Sequence, residues 1–308
     1  MKTSVKSQHH TGEQPIRVLK HNISHRFENI ESDFNIKLQD MINSKKLFPG
    51  INYHISNRSL LEKQMPYVDA NGVINLHETF MSYVWIMSFS LFVLYEEAVA
   101  KPMQKQQGQL NIADVNIPLL HLTEELFEYG KSLVTSYSIW DKNYFPNPEE
   151  YSADDVFYVE RTNGLYLYAM TFILCHEFAH VEFEHFAKLN KVDQKTLETE
   201  ADKRAIELVL KSKDGQNDKS VEYGILIGLV SLLFIRKSAS GKGSHPDSDE
   251  RIIKYLETIN PDFDEPIWGV ACLGIKLWDN QFKHNFDYPK YVNDFKEFFY
   301  HLVSQIKK

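Results

Sequence analysis

Five residues constrain this chain more than any others: His176-Glu177-Phe178-Ala179-His180. On an α-helix, residues four apart stand one turn above another on the same face. Both imidazoles can therefore reach one cation at about 2 Å, the length of a bond from Zn²⁺ to a histidine nitrogen. Glu177 is turned by about 100° from His176. Its carboxylate falls outside the ligand pair but beside the open coordination position, where it can take a proton from water acidified to a pKa of about 7. The flanking pattern predicts a helix from Asn163, its N-cap, to Leu189. That stretch has no proline, and Leu165, Tyr168, Phe172, Leu174, Cys175, Phe178 and Ala179 supply apolar contacts. With 13 histidines in 308 residues the short pattern can arise by chance. A buried helix whose histidines only satisfy core hydrogen bonds would be spelled the same way.

The third ligand is sought on a second helix, Leu197 to Leu210. Glu198, Ala201, Asp202, Ala205, Leu208 and Val209 share one side of it; Glu200, Lys203, Arg204 and Glu207 take the other. Glu200 reads as solvated. Glu198 instead opens a stripe of small and apolar residues, and burying a lone carboxylate there costs several kcal/mol unless a cation neutralises it. Glu198 is the expected third ligand, and Asp202, one turn on, is placed to accept the free N–H of a liganding histidine. The competing explanation for Glu198 is a helix-start acid favoured by the macrodipole.

A longer zinc motif would need Gly at position 183 and His at 186, but both are phenylalanine. His185 falls one residue short and, on a continuing helix, points away from His176 into solvent. The near-match at His77-Glu78 lacks a second histidine and reads as a helix start. A further element is His245-Pro246-Asp247-Ser248-Asp249-Glu250-Arg251-Ile252. Pro246 restricts His245 to an extended conformation, and the acids after it open a helix toward Lys254. A histidine held so rigidly could face a cleft and hydrogen-bond an oxyanion, with Arg251 anchoring the loop or a substrate carboxylate. A surface turn with a capping acid is the plainer alternative.

Together, HExxH, ExxAD (Glu198 to Asp202) and HPxxxxRI (His245 to Ile252) resemble the gluzincin metallopeptidases of the HtpX and CAAX-prenyl-protease type, over roughly residues 164 to 256. His185 belongs to the resemblance, since a histidine often follows the first motif there. The resemblance implies a zincin-like core in which Zn²⁺ is held by His176, His180 and Glu198, with the His-Pro loop near the active site. Those enzymes span membranes, and this chain lacks a comparable set of spans. Its length and the position of HExxH are more similar to the phage-exclusion Lit-type peptidases, which implies a translation elongation factor of the same cytoplasm as substrate. Residues 1 to 150 carry no motif that bears on this.

A net charge of −8 argues against nucleic acid as a partner. Cys175 and Cys272 are too few for a disulfide framework and are expected as free buried thiols. The polar, basic start lacks the apolar segment of a secretion signal, so the expected location is cytoplasmic. Apolar runs at 79–95, 223–235 and 266–275 are shorter than the ~20 residues of a membrane span and read as buried helices; peripheral membrane contact is the alternative.

The expected class is α+β, predominantly helical, with a small edge β-sheet. The chain divides into a mobile tail (1–27) and one zincin-like domain (28–308): an N-terminal part with short strands and helices (28–160), a zinc-binding core (161–258) and C-terminal helices (259–308). Strands are expected at 49–57 and as a hairpin, 67–69 with 73–76, turning through Ala70-Asn71-Gly72. Val73 to Leu76 is the candidate edge for pairing with an extended peptide. Residues 101–108, 142–155 and 211–219 read as loops, and 289–308 as an amphipathic helix with Tyr291, Phe295, Phe298, Phe299 and Leu302 inward.

The resulting reading is a zinc metalloendopeptidase acting on an intracellular protein or peptide. His176, His180 and Glu198 hold the metal, Glu177 is base and then acid, and His245 or a nearby tyrosine stabilises the oxyanion; Asp202 and Arg251 support from behind. A zinc-fold regulatory or sensor protein, or a peripheral membrane-associated protease, is the alternative.

Overall fold

A computed structural model describes residues 3–4, 11–62, 64–189, 191–241 and 245–306. In chain order, β1 (Thr3–Ser4), α1 (Lys20–Glu28) and α2 (Ser32–Asn43) lead to β2 (Ile51–His54), β3 (Tyr67–Val68) and β4 (Ile74–His77). There follow α3 (Glu78–Tyr95), α4 (Lys101–Gln106), α5 (Ile117–Thr135) and β5 (Glu150–Tyr151). The second half holds α6 (Val156–Glu182), α7 (His185–Lys188), α8 (Gln194–Leu210), α9 (Asp218–Ser231), α10 (Ser248–Ile259), α11 (Pro266–Phe282) and α12 (Phe295–Ser304). The chain is thus mostly helical with a small sheet, as its patterning implies.

Helices that are apolar all round lie innermost. In α3 every residue but Phe92 and Tyr95 is buried, and it packs against α5 and α6. Helix α6 is covered by α9 on one side and α8 on another. Small residues let α9 come close: a Cβ on Gly224 would stand 2.4 Å from Tyr168 Cβ and 2.9 Å from the Leu165 carbonyl. The continuous helical stretch Glu78–Gln106 is long and apolar enough to cross a membrane, but most of its apolar window is buried inside the protein. Cys175 and Cys272 are free and buried.

Strands β2, β4 and β3 form a sheet in that order, β2 parallel and β3 antiparallel to β4. The expected hairpin is present, pairing Tyr67 with Asn75 and Val68 with Ile74. Its turn uses the positive φ of Gly72 (73°). The expected edge at Val73 to Leu76 is corrected: β4 lies in the centre of the sheet because β2 pairs along its other side. The edges are β2 and β3, and β3 faces α6.

Other boundaries shift for identifiable reasons. Residues expected as a mobile tail are packed from Gln14 on, with Ile16, Ile23 and Phe27 in the core. The expected loop at 101–108 is largely α4, joined to α3 through a π turn at Glu96–Ala100, just before Pro102, which lacks an N–H to donate. Helix α6 starts at Val156, so Asn163 lies inside it and accepts from Trp85 Nε1 at 2.8 Å instead of capping it. The last helix starts only at Phe295, capped by Asp294. Tyr291 therefore precedes the helix and is 74% exposed, while Phe299 and Leu302 are buried.

Candidate active site

Helix α6 presents His176 and His180 one turn apart, and α8 brings the buried Glu198 against them. Nε2 of His176 lies 3.2 Å from Nε2 of His180 and 3.2 Å from Glu198 Oε2; His180 Nε2 is 3.7 Å from Glu198 Oε1. A tetrahedral site with bonds of about 2.0–2.1 Å sets its ligand atoms about 3.3 Å apart. The three donors therefore have the spacing and the chemistry of a divalent-cation site, and they form a group that could hold a metal. His176 Nδ1 donates to Asp202 Oδ1 at 2.9 Å, so Nε2 is the ring nitrogen that faces the other donors.

Asp202 is held in turn by Arg251, whose Nε and terminal nitrogen donate to its two oxygens, both at 2.6 Å. Of the two tasks considered for Arg251, this fork serves the first, tying α10 to α8 behind the His176–Glu198 pair. His245 reaches the same cluster from the loop before α10, with Nε2 3.5 Å from Glu198 Oε2. Gly241 allows that approach, since a Cβ there would stand 1.9 Å from the His245 carbonyl oxygen.

Charge in the cluster is strongly perturbed. Burial opposes protonation of His176, but its bonds to Asp202 and Glu198 outweigh this and raise it to about 10. Burial, then His176, lowers His180 to about 4. Burial would also raise Glu198 and Asp202. The His176 hydrogen bond holds Glu198 below its usual range, and Arg251 above all does so for Asp202. Glu177 rises to about 7, chiefly by burial, with His176 opposing and Glu198 adding. Its Oε2 accepts the Val68 amide of β3 at 3.0 Å, so the sheet edge fixes this carboxylate beside the cluster.

Residues 74–271 match the family model Peptidase U49. The chain belongs to this peptidase family. No curated protein and no solved structure matches it significantly. The U49 match spans β4 to the second turn of α11 and so contains His176, Glu177, His180, Glu198, Asp202, His245 and Arg251.

Within this U49 peptidase His176, Glu177, His245 and Arg251 line an open cleft of about 870 Å³ between the sheet and the loop before α10. Leu76, Phe80, Phe172 and Ile173 give it an apolar floor, and Tyr67 stands at its mouth. One expectation is corrected. His185 is neither exposed nor on a continuing helix: α6 ends at Glu182, Glu184 turns left-handed (φ 53°), and His185 is buried to 2% with Nδ1 2.9 Å from His180 Nδ1. Glu200 is exposed, as expected, and lies 3.3 Å from His185 Nε2. The missed signal was the break after Phe183, which carries no glycine or proline to mark it. His77 caps α3 by accepting the Thr79 amide at Nδ1, as expected of a helix start. Its Nε2 then carries the proton that goes to Ser56 Oγ, so it cannot act as a base on that hydroxyl.

Proposed function

We propose that this peptidase is a zinc-dependent metalloendopeptidase with a gluzincin-type site. The observation that carries the reading is the convergence of two imidazole nitrogens and one buried carboxylate at ligand spacing, beside a second, half-buried carboxylate that is outside the group. Zinc, when bound, polarises a carbonyl and acidifies water. Glu177, half-buried and oriented by the Val68 amide, takes a proton from the attacking water and passes it to the leaving amine. His245, or Tyr67 at the cleft mouth, hydrogen-bonds the developing oxyanion. Asp202 keeps the His176 ring in its ligating tautomer, and Arg251 keeps Asp202 ionised.

An extended peptide would lie along the edge strand β3 above an apolar pocket. The resemblance to Lit-type peptidases extends the proposal to a cytoplasmic protein substrate, a translation elongation factor cleaved during phage infection. Terminal-peptide profiling of cell lysate treated with the purified chain tests it. New termini should appear with the wild-type chain and be absent with Glu177→Gln. Identical profiles for the two proteins would refute a Glu177-dependent peptidase.

A further inference from the structure

We propose that His185 is a positioning residue for the metal site: it accepts the Nδ1–H of His180, and Glu200 holds it in that role. This rests on the metal-site reading above. Two ring nitrogens 2.9 Å apart attract only if one carries a proton, and the question is which. An ionised carboxylate only accepts, so the contact between His185 Nε2 and Glu200 Oε2 places the His185 proton on Nε2. Nδ1 of neutral His185 is then an acceptor. The proton between the rings belongs to His180, whose Nε2 is left with a lone pair aimed at the donor cluster, 3.2 Å from His176 Nε2.

The two histidine ligands are thus oriented by different devices. His176 is served directly by Asp202, whereas His180 is served by a two-residue relay ending on Glu200. Helix α8 contributes to both, with Glu198 and Asp202 on its inner face and Glu200 at its margin. The left-handed residue Glu184, paired with Lys46 at 2.7 Å, folds the chain back so that the His185 ring packs edge-on against His180, centroids 4.9 Å apart. Burial of His185 excludes water as a substitute acceptor.

The test is zinc affinity, measured by competition with a chromophoric chelator, together with the visible spectrum of the Co²⁺-substituted chain and circular dichroism as a check of folding. Removing the acceptor with His185→Leu should weaken zinc about 10–100-fold, the usual effect of losing a ligand's hydrogen-bond partner. His185→Asn should restore most of the affinity and the wild-type cobalt bands, because its amide oxygen stands where Nδ1 stood. Glu200→Ala, on a half-exposed side chain, should weaken zinc less, and should add nothing in the His185→Leu background. Wild-type affinity in His185→Leu, equal damage in His185→Leu and His185→Asn, or an additive Glu200→Ala effect would overturn the relay while leaving the metal site standing. If His185→Leu fails to fold, unchanged affinity in Glu200→Ala overturns it. A wild-type chain that binds no zinc would overturn both the relay and the metalloenzyme reading.

Discussion

At the scale of single residues, burial and partner separate the proposed ligand Glu198 from the proposed base Glu177. Glu198 touches both histidines, whereas Glu177 touches a backbone amide, so the two carboxylates should respond differently to neutralisation. Glu177→Gln keeps an acceptor for the Val68 amide; it should fold and bind metal as wild type while turnover falls by about 10²–10⁴ or more. Turnover at the wild-type rate in a peptide-cleavage assay would remove Glu177 from the chemistry. Asp202→Asn leaves Arg251 without a carboxylate and weakens the acceptor for His176 Nδ1. Zinc affinity should fall about 10–100-fold, and unchanged affinity in a chelator competition would show that Asp202 does not orient its ligand. His176, Glu177 and His180 were legible because helical spacing alone puts them on neighbouring faces. Glu198 was legible because an acid heading an apolar stripe needs a cation. His185 was not, since its position depends on a left-handed turn at Glu184 that local sequence does not encode.

At the scale of elements, the site depends on α6 being held by α8 and α9. Glu182, at the end of α6, is bonded by Arg204 of α8 and paired with Lys37 of α2, joining three helices next to the His176–His180–Glu198 group. On the opposite side, Gly224 admits α6 so closely that a methyl group would meet Tyr168 and the Leu165 carbonyl. Gly224→Ala should destabilise the protein by about 1–3 kcal/mol through overpacking. Urea unfolding measures this, and an unchanged midpoint would mean that α9 can retreat at no cost. Helix identity was readable from apolar runs, and the hairpin from Asn71-Gly72. The strand order was not, because the parallel pairing of β2 with β4 joins segments separated by a long connection that carries no local signal. Helix ends moved for a related reason: Asp294 and the π turn at Glu96–Ala100 set them against tertiary packing, which periodicity does not report.

At the scale of the whole molecule, the proposed ligands sit on α6 and on the inner face of α8, both packed into a large core, in contrast to small domains that fold only around their metal. Chelation should therefore abolish hydrolysis while leaving the helical circular dichroism intact; loss of the helical signal on metal removal would make zinc a folding element here. The apolar helix α3 is buried within the fold, so the purified chain should stay in the dense fraction in liposome flotation, and flotation would revive the membrane-associated reading. The account stands or falls on a cation held between α6 and α8. Metal analysis of the purified wild-type, Glu177→Gln and Glu198→Ala proteins tests it most directly. One zinc per chain is predicted in the first two and little in the third, whereas zinc absent from the wild type, or equal in all three, would contradict it.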